Sequence, residues 1–239
     1  MSTVLILGAG PRVGKACAET FYAAGFKVAV ASRAQKLDAK YRHYAFDAEK
    51  PDTIPTLFEQ VSADLGVPSV VIYNTPYAPP GNDPEKPFEN DIGEFQKYLN
   101  INTISAYIAA REAVKGFDKL GPSGLGASGA TFIFTGNLLN IGTMPGYMAF
   151  GMAKSAVSHM IQHLALTTLA DKPYKFYYGD ERRETGIYMT NELNGDAHAE
   201  TYLELANDPM QRTWDYTFVK GKGYVEFPRQ EVWPMPILD

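Results

Sequence analysis

Three glycines near the N-terminus have the spacing of a phosphate-binding turn. Gly8, Gly10 and Gly14 follow the unbroken apolar run at residues 4–7 and precede a stretch rich in helix-forming residues. In a strand–turn–helix unit of this kind, the backbone can approach a pyrophosphate closely, and the N–H groups and partial positive charge of the helix N-terminus favour the anion. The pattern predicts a dinucleotide site; the alternative is an ordinary tight turn between a strand and a helix.

Two arginines stand where the adenosine end of a dinucleotide would lie. Arg33 follows the second apolar strand, residues 27–31, and Arg12 lies inside the glycine-rich turn. An acidic residue at this strand end would hold a ribose 2′-hydroxyl, whereas a guanidinium forms a charge-assisted fork with a 2′-phosphate. The arginines therefore favour NADP(H) over NAD(H), unless either is merely solvated. Asp47, after the next apolar strand, is well placed to accept the adenine amino group.

The rest of the chain alternates apolar strands with amphipathic helices. Predicted strands cover residues 4–7, 27–31, 41–46, 67–73, 130–135 and 174–178, and predicted helices cover residues 15–24, 52–65, 92–117, 147–169 and 196–207. This alternation predicts a single-domain, doubly wound (Rossmann) α/β fold with a parallel sheet, helices on both faces and right-handed crossovers.

The domain is predicted to span residues 1–239. Within it, residues 179–239 are expected to form a substrate-side cap, with the helix at 196–207 over the pocket, followed by a C-terminal strand and an apolar tail. The proline-rich loop at 77–87 is expected to form part of the pocket wall above the cofactor, and residues 121–129 are expected to form a flexible turn.

Composition narrows the class of protein. The 239 residues are 45% hydrophobic and 21% charged, and the net charge of −5 argues against a nucleic acid or an anionic membrane as partner. The single cysteine, Cys17, excludes an intramolecular disulfide and is expected in the core. No apolar run approaches a membrane span, and the early first strand leaves no room for a signal peptide, so a cytoplasmic enzyme is expected.

Five motifs in order make residues 3–178 resemble the short-chain dehydrogenase/reductase family. The glycine-rich turn, with Arg12 in place of its middle glycine, is followed by Asp47 at the adenine-binding position. Residues 73–76 then stand where the family has Asn-Asn-Ala-Gly, Asn102 opens its Asn-x-x-Gly motif, and Lys154 closes its Tyr-x-x-x-Lys segment. The resemblance implies an NADP(H)-dependent oxidoreductase that acts on a small molecule.

The resemblance also assigns residues to the cofactor. The implied contacts are Gly8, Gly10, Arg12, Val13, Gly14, Arg33, Asp47, Ala48, Asn74, Thr75, Lys154 and Thr190. Thr190 is included because residues 186–190 keep the spacing of the segment that touches the nicotinamide amide, although the family's proline is missing there.

The catalytic positions depart from the family pattern. In the family, a tyrosine donates a proton to the substrate carbonyl, a lysine lowers its pKa and binds the nicotinamide ribose, a serine orients the carbonyl, and an asparagine supports a proton relay. Lys154 and Asn102 are retained, but position 150 is Phe, and Asn137 stands where the serine is expected. An amide can still donate a hydrogen bond to a carbonyl, whereas Phe150 cannot donate a proton.

Three hypotheses follow for the chemistry. In the first, the protein is a reductase with a relocated acid; Tyr147, one helical turn before Phe150, is the best candidate, and Lys154, Asp180 and Glu181 are weaker ones. Tyr147 can equally be a packing residue, and it is seven residues from Lys154, about 10 Å along a helix. In the second, reduction of an iminium or an enone needs no enzymatic acid, and the pocket is lined by Leu138, Leu139, Tyr147, Met148 and Phe150. In the third, the protein binds NADP(H) without redox turnover, as a sensor, a scaffold or a non-redox catalyst.

Two further patterns concern metals and assembly. His159 and His163 are four residues apart on a predicted helix, but no third ligand is evident, so no metal site is predicted. The family resemblance implies a homodimer or homotetramer built on the helices that carry Asn102 and Lys154. The apolar spacing of Ile104, Ile108, Val157 and Ile161 allows such an interface.

Overall fold

A computed structural model describes residues 1–189, 192–229 and 232. It contains one eight-stranded sheet in the order β3-β2-β1-β4-β5-β6-β7-β8. The strands are β1 Thr3–Leu7, β2 Lys27–Ser32, β3 Arg42–Ala45, β4 Pro68–Tyr73, β5 Ala130–Thr135, β6 Tyr174–Glu181, β7 Asp215–Val219 and β8 Gly223–Tyr224. The first seven strands are parallel to their neighbours, and β8 is antiparallel to β7. The predicted single-domain α/β fold with a doubly wound sheet is confirmed.

Helices cover both faces of this sheet. They are α1 Val13–Ala23, α2 Ile54–Leu65, α3 Ile92–Leu99, α4 Ser105–Leu125, α5 Met148–His163 and α6 Gly195–Asn207. Helices α2, α4 and α5 contribute to the core on one face, and α1 and α6 contribute to the core on the other. Strand β1 explains the pattern: its alternating side chains face opposite cores, so both sets are apolar and the run is unbroken.

The predicted long helix at 92–117 is instead α3 and α4, joined by a π-helical segment, Asn100–Ile104. Such bulges form where side chains compete for backbone hydrogen bonds, and Asn102, inside the segment, bonds to backbone groups. Helix α4 also runs further than predicted, to Leu125, across a break at Gly121, where φ is +61°. The second long helix likewise ends in a π-helical segment, Leu164–Thr168.

The C-terminal part of the chain differs most from expectation. Helix α6 packs against α1 in the second core, through Ala199, Tyr202 and Leu205, and so does not lie over the pocket. Strand β6 extends three residues beyond the predicted end, through Gly179 to Glu181, and β7 pairs with this extension. The charged residues Asp180 and Glu181 are thus part of the sheet, where each has a buried partner.

Candidate active site

The carboxyl ends of β1, β4, β5 and β6 meet at one edge of the sheet, with the N-terminus of α1 above β1. Ligands of open α/β sheets bind at this edge. The third apolar cluster of the chain lies at the same edge, around residues 138–150. The topology therefore brings the strand ends and the helix N-terminus that carry most of the proposed residues to one side of the molecule.

Gly8 ends β1 at a position that no other residue fits. Its φ is +92°, and a Cβ atom there would lie 2.3 Å from the carbonyl oxygen of Asn74. Asn74 is bound to the same turn: its N–H donates to the carbonyl of Leu7 at 2.7 Å, and its Nδ2 donates to that of Gly8 at 3.0 Å. The hydroxyl of Thr75 is buried beside Gly8 and has no hydrogen-bond partner among the described residues. The ends of β1 and β4 are thus locked together.

The rest of the glycine-rich turn leaves room in front of α1. A Cβ atom at Gly14 would lie 2.7 Å from the Cα of Ala9, so Gly14 lets the helix pack tightly on the turn. A Cβ atom at Gly10 would meet nothing within 4 Å and would project into open space. No side chain among the described residues caps α1, which begins at the buried Val13. Uncapped helix N–H groups facing an open cradle fit a pyrophosphate.

The predicted adenosine contacts lie at the ends of β2 and β3. Arg12 and Arg33 are both exposed. Asp47 is half-buried, and its Oδ1 accepts from the N–H of Glu49 at 3.2 Å. The carbonyl of the buried Ala48 accepts from the Ser105 hydroxyl at 2.7 Å, which fixes this loop to α4. These contacts hold the loop in place.

Asn102 is fully buried and clamps the start of the proline-rich loop. Its Nδ2 donates to the carbonyls of Tyr77 at 3.0 Å and Tyr98 at 3.2 Å, and its Oδ1 accepts from the N–H of Tyr77 at 3.0 Å. Next along the chain, the Thr103 hydroxyl donates to the carbonyl of Ala153 at 3.1 Å and ties this segment to α5. Asn102 therefore positions the loop that follows β4.

Lys154 extends from α5 to the end of β5. Its Nζ donates to the carbonyl of Thr135 at 3.1 Å and lies 4.5 Å from the ring centroid of Phe134 and 5.3 Å from that of Phe150. The residue is only 2% exposed. Burial lowers the pKa of Lys154 to about 7, and the nearby charge of Asp180 opposes that shift. Near neutral pH, this amine is therefore poised between its two protonation states.

Asn137, which stands where the family has a serine, is held in place by hydrogen bonds shortly after β5. Its backbone is held by Tyr178, whose hydroxyl accepts from the Asn137 N–H at 3.1 Å and donates to its carbonyl at 2.9 Å. The Asn137 Oδ1 accepts from the N–H of Leu139 and so caps the short 3₁₀ turn Leu138–Asn140. The Asn137 amide is thus oriented by its own turn at the pocket edge.

Tyr147 precedes α5 and borders an aromatic cluster. The cluster consists of Tyr98, Leu138, Leu139, Met144, Ala149, Phe150 and Tyr188, with Tyr77, Phe95 and Tyr147 packed against it. The Tyr147 ring is half-buried and packs on Gly81, where a Cβ atom would lie 2.7 Å from its Cε2. Met148, predicted to line the pocket, is 40% exposed and lines the cavity beside this cluster. The Tyr147 ring therefore contributes apolar surface beside the cluster, and the same side chain carries a phenol hydroxyl.

Sequence reasoning missed Tyr98 and Tyr188 in this cluster. Burial raises the pKa of Tyr98 to about 12, and the neighbouring phenols of Tyr77 and Tyr147 act in the same direction. The pKa of Tyr188 is also raised, by burial and then by Tyr147. Tyr98 lies one helical turn before Asn102, a spacing that could have identified it.

The charged end of β6 was also underestimated. Asp180 is 1% exposed and accepts from Arg182, with Nε and Nη2 each 2.6 Å from its Oδ2. Burial raises the pKa of Asp180 to about 6, although the adjacent Arg182 lowers it. Glu181 is buried as well, 3.4 Å from Nδ1 of His198, and accepts from the N–H of Asn194. Arg182 is only two residues from Asp180, whereas the partners of Glu181 come from a distant element and no local signal in the sequence indicates them.

A cavity of about 280 Å³ lies beside the aromatic cluster. It separates the proline-rich loop from the segment before α5, and its lining includes Pro84, Met144, Ala149 and Val232. The two walls are joined by the N–H of Asn82, which donates to the carbonyl of Gly146 at 2.9 Å. Val232 forms a parallel bridge with Thr143 at this wall. Thr190 and the rest of the apolar tail, 233–239, lie outside the described residues.

Three further groups of residues that the sequence analysis considered lie away from the site. Val157 and Ile161 are buried in the main core of this chain, so they cannot form a surface between subunits; Ile104 is 40% exposed and Ile108 is half-buried. Cys17 is buried as expected. Nε2 of His163 lies 2.8 Å from the Thr168 hydroxyl.

Among residues 1–189, 192–229 and 232, no group of three or more His, Cys, Asp and Glu side chains is arranged to hold a metal ion. In those same ranges, no helix combines the length and apolarity that crossing a bilayer requires.

Comparison with known proteins identifies a matching family profile and a similar protein. Residues 8–172 match the sequence profile described as enoyl-(acyl carrier protein) reductase. The chain is 39% identical over 237 residues to the short chain dehydrogenase/reductase dmxR12 of Cryptosporiopsis sp. (strain 8999), with 94% of each chain covered.

Two solved structures illustrate the similarity of fold. A short-chain dehydrogenase from Rhodopseudomonas palustris has a TM-score of 0.75 at 21% identity, covering 90% of this chain and 97% of the other. ElxO with NADP bound has a TM-score of 0.65 at 19% identity, covering 77% and 75%.

Proposed function

The chain belongs to the short-chain dehydrogenase/reductase family, and we propose that it reduces a small, mostly apolar carbonyl, enone or imine with NADPH. One observation carries the proposal. Lys154 is anchored at the end of β5, under the aromatic cluster and on the same sheet edge as the open glycine cradle. A cationic group between a nucleotide site and an apolar pocket is what positioning a cofactor beside a substrate requires.

The cofactor would be held by the residues assigned from sequence. The uncapped N-terminus of α1 and the open space at Gly10 suit the pyrophosphate, and Asn74 supports the turn from below. Arg12 and Arg33 are exposed at the adenosine end and suit a 2′-phosphate. When bound, NADPH supplies hydride to the substrate. ElxO, which shares the fold, is described with NADP bound, in keeping with this assignment.

The substrate would lie against the aromatic cluster. Phe150, Tyr98 and Leu139 offer apolar surface, and the neighbouring cavity could take a further apolar part of the molecule. Burial of these rings excludes water from one wall of the cleft. The lining therefore favours an apolar substrate over a charged one.

The proton that balances hydride transfer is assigned to Tyr147. Phe150 has no proton to donate, whereas the Tyr147 phenol borders the same cluster. Burial and neighbouring phenols raise the pKa values of Tyr98 and Tyr188, which keeps those phenols protonated. Substrates that need no enzymatic acid, such as iminium ions or enones protonated by water, would be reduced without this contribution.

The first test is a fluorescence titration of the purified protein with NADPH and NADH. The proposal predicts tight binding of NADPH, weaker binding of NADH, and oxidation of NADPH in a screen of ketones, enones and imines. NADPH binding without turnover on any substrate class would favour a role without redox chemistry. Absence of binding to either nucleotide would refute the proposal.

We also propose that the protein assembles as a homodimer or homotetramer through the outer face of α4, α5 and the π-helical segment that precedes α4. Ile104, Tyr107 and Met152 are exposed on this face, by 40%, 56% and 50%. They replace Val157 and Ile161 as the expected contacts. Light scattering at micromolar concentration tests the assembly, and a monomer there would exclude it.

A further inference from the structure

Two adjacent acids end β6 and face opposite sides of the sheet. Strand alternation puts Asp180 on the same face as Tyr178, whose ring stacks on Phe134 at 5.6 Å in the core beneath α4 and α5. The same alternation puts Glu181 on the other face, next to His198 of α6. Only Asp180, therefore, belongs to the face of the sheet on which Lys154 lies.

Backbone register brings Asp180 and Lys154 to the same corner. Lys154 donates to the carbonyl of Thr135, and Thr135 pairs with Gly179, the residue just before Asp180. Both side chains are almost completely buried, at 2% and 1% exposure. In such a water-poor site the charge of each group acts on the pKa of the other. The attraction of Asp180 favours the ammonium form of Lys154, which burial disfavours.

Arg182 holds Asp180 in this position. Its Nε and Nη2 bind the carboxylate, and its Nη1 donates to the carbonyl of Gly186 at 3.1 Å. On the far side, Asp215 of β7 accepts from Nδ2 of Asn140 at 3.0 Å. Two guanidinium N–H groups converge on one oxygen, Oδ2, of the carboxylate and restrict its orientation. The carboxylate is therefore oriented independently of any ligand.

We propose that Asp180 is a positioning residue of the active site, which keeps Lys154 in its charged, hydrogen-bond-donating form. An ammonium group has three donors, so Lys154 can hold Thr135 and still offer N–H groups to the ribose hydroxyls of the cofactor. Arg182 orients the carboxylate, and Glu181 takes no part. The inference deepens the proposed function, because it rests on Lys154 as a cofactor-binding residue.

In the described part of the chain, few charged or titratable groups lie near the Lys154 amine. From β6 it faces Asp180, and behind that carboxylate stand Arg182 and Asp215. Tyr178 also lies on this face, where its hydroxyl is bound to the backbone of Asn137. Among these groups, Asp180 is the one whose charge acts on the Lys154 amine.

The experiment is an NMR titration of ¹³C-lysine-labelled protein without nucleotide. The Lys154 signal is assigned by its loss in Lys154→Arg, and its chemical shift is followed with pH in wild type, Asp180→Asn and Asp180→Glu. We expect the midpoint for Lys154 to fall by about one pH unit or more in Asp180→Asn and to stay near the wild-type value in Asp180→Glu. Glu181→Gln, which changes the adjacent acid on the opposite face, is the matched control and should leave the midpoint unchanged.

A second readout separates this inference from the proposed function. The pH above which NADPH binding weakens should move down in Asp180→Asn together with the Lys154 midpoint. If the midpoint moves but wild-type protein binds no NADPH, the proposed function fails and the Asp180–Lys154 interaction stands. An unchanged midpoint in Asp180→Asn overturns the inference. Because that variant removes the carboxylate that Arg182 binds, Asp180→Asn/Arg182→Gln removes both charges and should move the midpoint in the same direction if the single variant does not fold.

Discussion

The ammonium nitrogen of Lys154 lies 5.3 Å from the ring centroid of Phe150, one helical turn earlier on α5. In this family, a tyrosine is expected at that position, and its hydroxyl would stand beside the lysine. Here the lysine instead lies between two apolar rings, those of Phe134 and Phe150. The site thus has the lysine, Lys154, but the neighbouring ring, Phe150, lacks the hydroxyl that could donate a proton.

Replacing Phe150 with tyrosine should add an acid at the family's position. We expect Phe150→Tyr to raise kcat for ketone substrates about tenfold or more, since a positioned general acid contributes 10²–10⁴-fold in rate. Enones and imines should change little. Steady-state kinetics with one substrate of each class, and NADPH affinity as the control, provide the measurement. Equal rates for wild type and variant on ketones would mean that the proton does not limit the reaction.

Removal of the Tyr147 hydroxyl should have the opposite effect. Tyr147→Phe keeps the ring that packs on Gly81, so the fold and the NADPH affinity should be preserved. We expect kcat for ketones to fall about 100-fold, the usual contribution of a general acid. Tyr98→Phe is the matched control, because it removes another phenol from the same cluster, and it should cost about twofold or less. A larger loss in Tyr98→Phe would transfer the role to Tyr98.

The two exposed arginines should determine nucleotide preference. Arg33→Ala and Arg12→Ala should each weaken NADPH binding by about 10-fold or more, with little effect on NADH, because a guanidinium–phosphate fork is lost. Lys15→Ala, which removes an exposed cation in the same region, is the control. Fluorescence titrations measure all three variants. Parallel losses for NADPH and NADH would argue against a 2′-phosphate contact.

Asn102 should contribute to stability. Asn102→Ala leaves the backbone groups of Tyr77 and Tyr98 without their side-chain partner, so we expect the free energy of unfolding to fall by about 2–4 kcal/mol. Thr103→Val, which removes a single hydrogen bond to Ala153, should cost about 1 kcal/mol. Urea unfolding measures both. If the two variants lose equal stability, Asn102 does not clamp the loop.

The buried amine of Lys154 should make stability depend on pH. Burial lowers its pKa from 10.5 to about 7, so between these values the unfolded chain binds more protons than the folded one. Stability of the wild type relative to Lys154→Met should therefore rise as pH increases from 7 towards 10, by at least about 1.4 kcal/mol. Chemical unfolding at pH 7 and pH 9.5 measures the difference. A difference that does not change with pH would show that the amine is not desolvated.

Local patterns in the chain were sufficient for the central part of the fold. The apolar strands, the glycine-rich turn and the helix that follows it are encoded by neighbouring residues, through side-chain alternation and the backbone freedom of Gly8. The positions of Asn102 and Lys154 at the cleft followed from motif spacing. Burial of Cys17 followed from its residue type.

Long-range contacts settled what those patterns left open. Asp180 and Glu181 end a buried strand: Arg182, two residues along the chain, compensates the burial of Asp180, whereas His198 and Asn194, from a distant element, compensate that of Glu181. The break between α3 and α4, the packing of α6 on α1 and the burial of Val157 depend in the same way on distant partners. A residue's own type gives its preference for water or core, but whether a buried charge is tolerated depends on the groups that folding brings beside it.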